Sequence, residues 1–213
     1  KTADSSVAEE LSIRDAEYEL TEVEKVAVDL QKSFVTVDDI TKSLLAIDEI
    51  NFNDNYKLNN SRLSSVKSPY THKETYQWYV TYINEFNYTA TATVNAETGE
   101  IISYSTNDYG IVYIYETESN FKYSYDETVK IVDVFLSKQF GDKFSEFKLD
   151  KYEHSDDQKF TSYNINYNRY INEIKFSDNA FVTINPDTLE ITSFALYYSD
   201  AKFPSPDKVI TPT

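Results

Sequence analysis

Cysteine and methionine are both missing from this 213-residue chain. Without a thiol there is no disulfide framework, no thiolate metal site and no cysteine nucleophile. Glycine is scarce: Gly99, Gly110 and Gly141 are the three. A loop that cradles phosphate needs glycines in close succession, and these are too far apart to build one. No Gly-x-Ser-x-Gly elbow occurs either. Histidine is confined to His72 and His154. Neither has a second His or a Glu at metal-ligand spacing, and Glu153, next to His154, would point to the other side of a strand. Both histidines read as ordinary surface or loop residues. No apolar run approaches the roughly 18 residues of a membrane-spanning helix. Basic residues are outnumbered, 20 Lys and Arg against 36 Asp and Glu, for a net charge of −16. That field repels nucleic-acid phosphates and anionic membrane surfaces. Solubility is the plain reading of the acidity; loose binding of divalent cations or a basic partner is the sharper one.

What the chain does have is aromatic side chains, 15% of its residues, with 19 Tyr and 13 Phe. Disordered chains are poor in aromatics, so most of this one is expected to fold. Tyr joins a large apolar ring to a polar tip and suits sheet faces that are half wet. The length allows one large domain or two of about 100 residues.

An internal repeat favours two. Asn95-Ala-Glu-Thr-Gly-Glu-Ile-Ile-Ser-Tyr104 matches Asn185-Pro-Asp-Thr-Leu-Glu-Ile-Thr-Ser-Phe194, 90 residues later. Ala90, Ala92 and Val94 alternate with threonines before the first block, and Ala180, Val182 and Ile184 alternate before the second. Period-two alternation reads as a strand, so each block is a hairpin turn. Gly99 supplies a positive φ in the first turn. Leu189 stands at the matching place, where positive φ is costly, so a different turn shaped by Pro186 is expected there. A strand rich in aromatics precedes each hairpin. Tyr76, Trp78, Val80 and Tyr82 share a face in the first, and Tyr163, Ile165 and Tyr167 in the second. Residues 45–58 and 147–153 could each add a further strand.

Each copy opens with a helix. Thr21-x-x-Glu24 and Ser124-x-x-Glu127 fit capping boxes. Val23, Val26, Ala27, Leu30 and Phe34 follow the first at helical spacing; Val129, Val132, Phe135, Leu136 and Phe140 follow the second. Counted from these boxes, copy one carries about 13 extra residues, placed between residues 35 and 75, where Asn59 to Ser65 reads as loop. The expected fold is α+β: two tandem units, each a helix packed on an antiparallel sheet. The divisions are a polar segment 1–17, unit one 18–118 and unit two 119–213, with the boundary near Glu116 to Asn120. A removed signal peptide is expected ahead of Lys1.

The strand Tyr76-Gln-Trp-Tyr-Val-Thr-Tyr82, followed by Thr93 to Tyr104, resembles the PepSY-like, cystatin-like repeats of the YcdB/YcdC family. Phe203-Pro-Ser-Pro-Asp-Lys-Val-Ile-Thr-Pro212 is similar to the lead into a next repeat in that family. The resemblance covers residues 18–212, and copy two departs from it at Leu189 and at Tyr163, where copy one has Trp78. It implies a secreted or cell-surface bacterial protein, and the absence of Cys is common in surface proteins of Gram-positive bacteria. The resemblance also implies a role in restraining a protease or stabilising a partner enzyme. No catalytic residues travel with the motif.

No catalytic, cofactor-binding or metal residues are therefore assigned, and no cofactor is expected. Carboxylates are too abundant for any glycosidase-like pair to stand out. Asn51-Phe-Asn-Asp-Asn55 and Ser155-Asp-Asp157 are rich in oxygen but do not fit a calcium loop. Tyr76, Trp78, Tyr82, Tyr163 and Tyr167 are the candidate partner-binding face, since Tyr and Trp make good anchors; packing is the competing role for such stripes. Trp78 is expected to be at least partly buried against the helix. The expected function is a non-enzymatic binding or regulatory module with a protein partner, a protease among the candidates, or a cell-wall component. A structural spacer within a larger wall-associated protein is the alternative.

Overall fold

The computed structural model describes Asp29 and residues 32–68, 71–107, 121–150 and 162–199. Val35 onward forms one compact unit. Of the stretch before it, we describe one ion pair, Lys32 Nζ to Asp29 Oδ1 at 2.8 Å. The proposed capping box at Thr21 and Glu24, the polar segment 1–17 and the boundary near Glu116 to Asn120 lie outside the described residues. So do His154, Ser155 to Asp157 and the segment from Phe203.

The described elements run in the order α1 (Val37–Leu45), β1 (Lys57–Lys67), β2 (Glu74–Ile83), β3 (Thr89–Asn95), β4 (Ile101–Thr106), then α2 (Tyr125–Phe140). A short 3-10 helix (Gly141–Glu146) leads to β5 (Phe147–Leu149), β6 (Tyr163–Ile171), β7 (Ile174–Ile184) and β8 (Ile191–Tyr197). The fold is α+β, as expected, but its strands form one antiparallel sheet of eight rather than two sheets. Their order is β1-β2-β3-β4-β8-β7-β6-β5. The two halves meet through β4 and β8, which pair only over Ser103–Ser105 and Ser193–Ala195.

Alternation placed β2, β3, β7 and β8 correctly, and α2 begins at the expected capping box. Ser124 N–H donates to Glu127 Oε2 at 2.9 Å and Glu127 N–H to Ser124 Oγ at 3.4 Å. Val132, Phe135, Leu136 and Phe140 are buried along one side of this helix. Three readings ahead of the first hairpin need correction. Residues 37–45 form a helix, capped by a box between Thr36 and Asp39. Counted from there, the first turn Asn follows the third helical residue by 56 positions (39 to 95), against 58 in the second half (127 to 185). The supposed insertion disappears. Asn59 to Ser65, read as loop, lies inside β1. Of the strand proposed over 45–58, only Ile50, bridging Ile191, and the start of β1 are extended pairings.

The second hairpin turn is the other correction. Leu189 adopts φ 64°, beside 76° at Gly99. Asn95 Oδ1 accepts from the N–H of Glu97 and Thr98, and Asn185 Oδ1 from those of Asp187 and Thr188. Gly99 N–H reaches Asn95 O and Leu189 N–H reaches Asn185 O, both at 2.9 Å. The turn is the same in both places. The Asn side chain and two backbone bonds, the second from the Asn N–H to the Glu carbonyl, define it, and they hold Leu189 in the left-handed region at a cost of about 1 kcal/mol. Leu189 also packs against the core, which offsets that cost.

Both helices cover one face of the sheet, and the core lies between. Ile40 and Leu44 of α1 and Val132, Phe135 and Leu136 of α2 join Val80, Val94, Tyr104, Ile165, Val182 and Phe194 of the strands. Ser124→Ala is expected to lower stability by about 1 kcal/mol in urea unfolding at neutral pH, because it removes the Oγ that accepts from the Glu127 N–H. Hydrogen bonds from Ser124 hold the Glu127 carboxyl below its usual pKa. A lowered folded-state pKa contributes stability above the unfolded pKa and loses it as pH falls through the folded one. Any stability gap between wild type and Glu127→Gln should therefore close on acidification through the carboxylate range.

Candidate binding surfaces

The five aromatic residues proposed as a partner face all point to the helix side, where burial divides them. Tyr82, Tyr163 and Tyr167 are 1%, 0% and 2% exposed, whereas Tyr76 and Trp78 are half-buried. Tyr82 Oη lies 2.8 Å from Thr41 Oγ1 of α1, and Tyr167 donates to Asp133 Oδ1 of α2 at 2.7 Å. Trp78 Nε1 donates to Val35 O at 3.0 Å. Burial raises the pKa of both tyrosines; donation to Asp133 raises that of Tyr167 further, while the Thr41 contact opposes the shift at Tyr82. The stripe is mostly the seam between helices and sheet. Three of its members cannot meet a partner while the fold is intact; Tyr76 and Trp78 are the two that keep exposed surface.

The opposite face carries no helix among the described residues. One cross-strand row there reads Asn60, Thr81, Thr91, Ser105, Ser193, Thr183, Asn164, passing through seven strands without a charge or a large apolar side chain. At a strand spacing of about 4.8 Å, the row presents hydroxyls and amides at regular intervals. Thr183 Oγ1 and Asn164 Oδ1 are bonded at 2.9 Å. The neighbouring row holds Arg62, Tyr79, Thr93, Ser103, Ala195, Phe181 and Asn166. Arg62 lies over the Tyr79 ring at 5.1 Å.

The third surface is an edge. β1 is 11 residues long, and among the described residues it pairs only with β2. Lys57, Arg62 and Lys67 are its charges, and it has no Asp or Glu. Such a strand offers unpaired backbone groups to an incoming chain, and lysines are a usual guard against indiscriminate pairing. The other edge, β5, has only three residues.

The loop Asn51 to Asn55 satisfies itself. Asn53 Oδ1 accepts from Asn55 N–H at 3.0 Å, and Phe52 is buried, stacked on Tyr56. His72 sits exposed in the β1–β2 connection with φ 56°. No group of three His, Asp or Glu side chains gathers as a metal ion would require among the described residues. No helix among them is long and apolar enough to cross a membrane.

Residues 46–198 match the family described as the YcdB, YcdC repeated domain. The chain belongs to this family. The match begins just after α1 and ends after β8, so it takes in the whole sheet of this YcdB/YcdC domain. The C-terminal domain of Bacillus megaterium YpeB has a similar fold, with a TM-score of 0.52 and 11% identity over 81% of this chain and 70% of that one. At that identity the likeness concerns fold alone, and the fold is PepSY-like. No curated protein sequence matches the chain. The aromatic stripe stood out in the sequence because alternation reveals two faces, but it does not say which one the helices cover. β1 gave no alternating signal, because a strand at the edge with little cover is polar on both sides.

Proposed function

We propose that this chain is a non-enzymatic binding or regulatory module of a bacterial cell surface, with a protease among its fitting partners. The observation that carries this reading is the long, basic strand β1, which among the described residues pairs only with β2. A partner segment adding to it would gain main-chain hydrogen bonds along as many as 11 residues. The surface location and the protease connection rest on the resemblance of the hairpin and Trp strand to PepSY-like repeats of secreted proteins. We also propose that the sheet is built from two repeats, residues 18–118 and 119–213. The matched Asn turns and the mirrored strand order support that reading.

Hydrogen exchange tests the mode of binding. In complex with an extracellular protease of its host, the amides of residues 57–67 should gain protection. Protection appearing elsewhere would overturn strand addition, and failure to bind any extracellular host protein would overturn the binding module itself. The uncharged hydroxyl row favours a second partner class, a neutral wall polysaccharide. Retention by purified cell wall, abolished when Thr91 and Ser105 are replaced by Glu, would favour that reading over the first.

A further inference from the structure

Beyond the edge and the open face, the molecule has a cleft of about 640 Å³ where the two halves of the sheet part. The seam ends at Ser103 and Ala195, so Ile102 and Leu196 diverge and leave a gap. Val66, Lys67, Thr71 and Lys73 line it from the β1–β2 side. Ile102 of β4, Phe140 of α2 and Leu196 of β8 add apolar surface, and Phe140 and Leu196 are 6% and 4% exposed. The volume falls within the range of about 300–1,000 Å³ usual for ligand pockets.

The charges decide what fits. Two acids line the cleft, Glu100 and Asp178, and both are already engaged. Lys143 Nζ lies 2.6 Å from Glu100 Oε2, and Arg169 Nη1 lies 2.7 Å from Asp178 Oδ2. Among the described residues, Lys67 and Lys73 close no ion pair, although Glu74 stands across the strand pair from Lys67. In a chain of net charge −16, the cleft thus holds two uncompensated cations beside an apolar wall. Ser68, Gln77 and Asn95 add neutral hydrogen-bonding groups.

We propose that this cleft binds a carboxylate borne on an apolar body, the chemistry of a peptide ending in a free acid or of a small aromatic acid. The apolar body covers Ile102, Phe140 and Leu196, and the carboxylate pairs with Lys67 and Lys73. The site is separate from backbone pairing along the outer side of β1, so either can fail without the other.

Titration calorimetry on the full chain tests it. The probes are an acetylated apolar pentapeptide with a free C-terminus, the same peptide as its amide, and phenylpropionate. The free-acid peptide should bind at least tenfold more tightly than the amide. The variant Lys67→Gln/Lys73→Gln should lose the same factor while its thermal midpoint holds, because both side chains are exposed. Phenylpropionate binding as tightly as the peptide would assign the site to free organic acids. Equal affinity for acid and amide, undiminished affinity in the variant, or no binding of any probe would overturn the proposal. Protection of β1 in the exchange experiment is read independently of all these outcomes.

Discussion

Arg169→Met should destabilise the protein by about 3–5 kcal/mol, because it strands a buried carboxylate. Arg169 is 3% exposed and Asp178 7%. The guanidinium reaches Glu146 Oε2 at 2.6 Å through Nε, and both Asp178 Oδ2 and Ser199 O at 2.7 Å through Nη1. Its Cζ lies 3.9 Å from the centre of the Tyr198 ring. Burial works against the charge, but Asp178 and Glu146 outweigh it and hold the pKa above its ordinary value. Without Arg169, Glu146 can turn to water, since its side chain is 40% exposed. Asp178 cannot, and keeps only the Ser199 donors at 2.8 and 3.0 Å. Against a typical domain stability of about 5–15 kcal/mol, the loss is severe. The double variant Arg169→Met/Asp178→Leu should recover much of it, since two apolar groups leave no orphaned charge. Denaturant unfolding of the four proteins in this cycle measures the coupling. A single-variant loss below about 1 kcal/mol would contradict the network's role.

Phe194→Ala should cost a similar amount, about 3–5 kcal/mol, by leaving a cavity at the centre of the sheet. Phe194 is 0% exposed and stands directly across the seam from Tyr104. Its ring meets Phe135 edge-on at 5.0 Å, Phe140 at 6.2 Å and Tyr104, stacked, at 5.9 Å. One side chain therefore ties α2 to both halves, at the seam where they pair over only three residues each. Amide exchange should show β4 and β8 losing protection before the hairpins β2–β3 and β6–β7 do. Uniform loss across the sheet would mean that the seam is no weaker than the rest.

The elements legible in the sequence were those with one wet and one dry face. β2, β3, β6, β7 and α2 bury residues at the alternating or three-to-four spacing their sequences show, so local pattern and tertiary environment agree. The features that escaped have other causes. β1 is exposed along most of its length, so nothing in its composition distinguishes Asn59 to Ser65 from a loop. α1 has only nine residues, and its capping box uses Asp39 in place of Glu or Gln. Leu189 was judged by the propensity of one residue, whereas the turn is set by Asn185 and by the pairing of the flanking strands. The union of the halves rests on three residue pairs of Ser, Ala, Tyr and Phe, and no periodicity announces such a contact. The candidate binding surfaces were the least legible part. A cleft built from β1, β4, α2 and β8 collects residues that are far apart in sequence.

The way β4 meets β8 also governs how such domains count. Each is the last strand of its run of four, and each uses its free side on the other. The joint is self-complementary and antiparallel, so it saturates after one partnership, as isologous contacts do. On the two-repeat reading proposed above, a longer array of such units would assemble in couples, like pages folded on a common spine. An odd repeat would be left with a bare last strand.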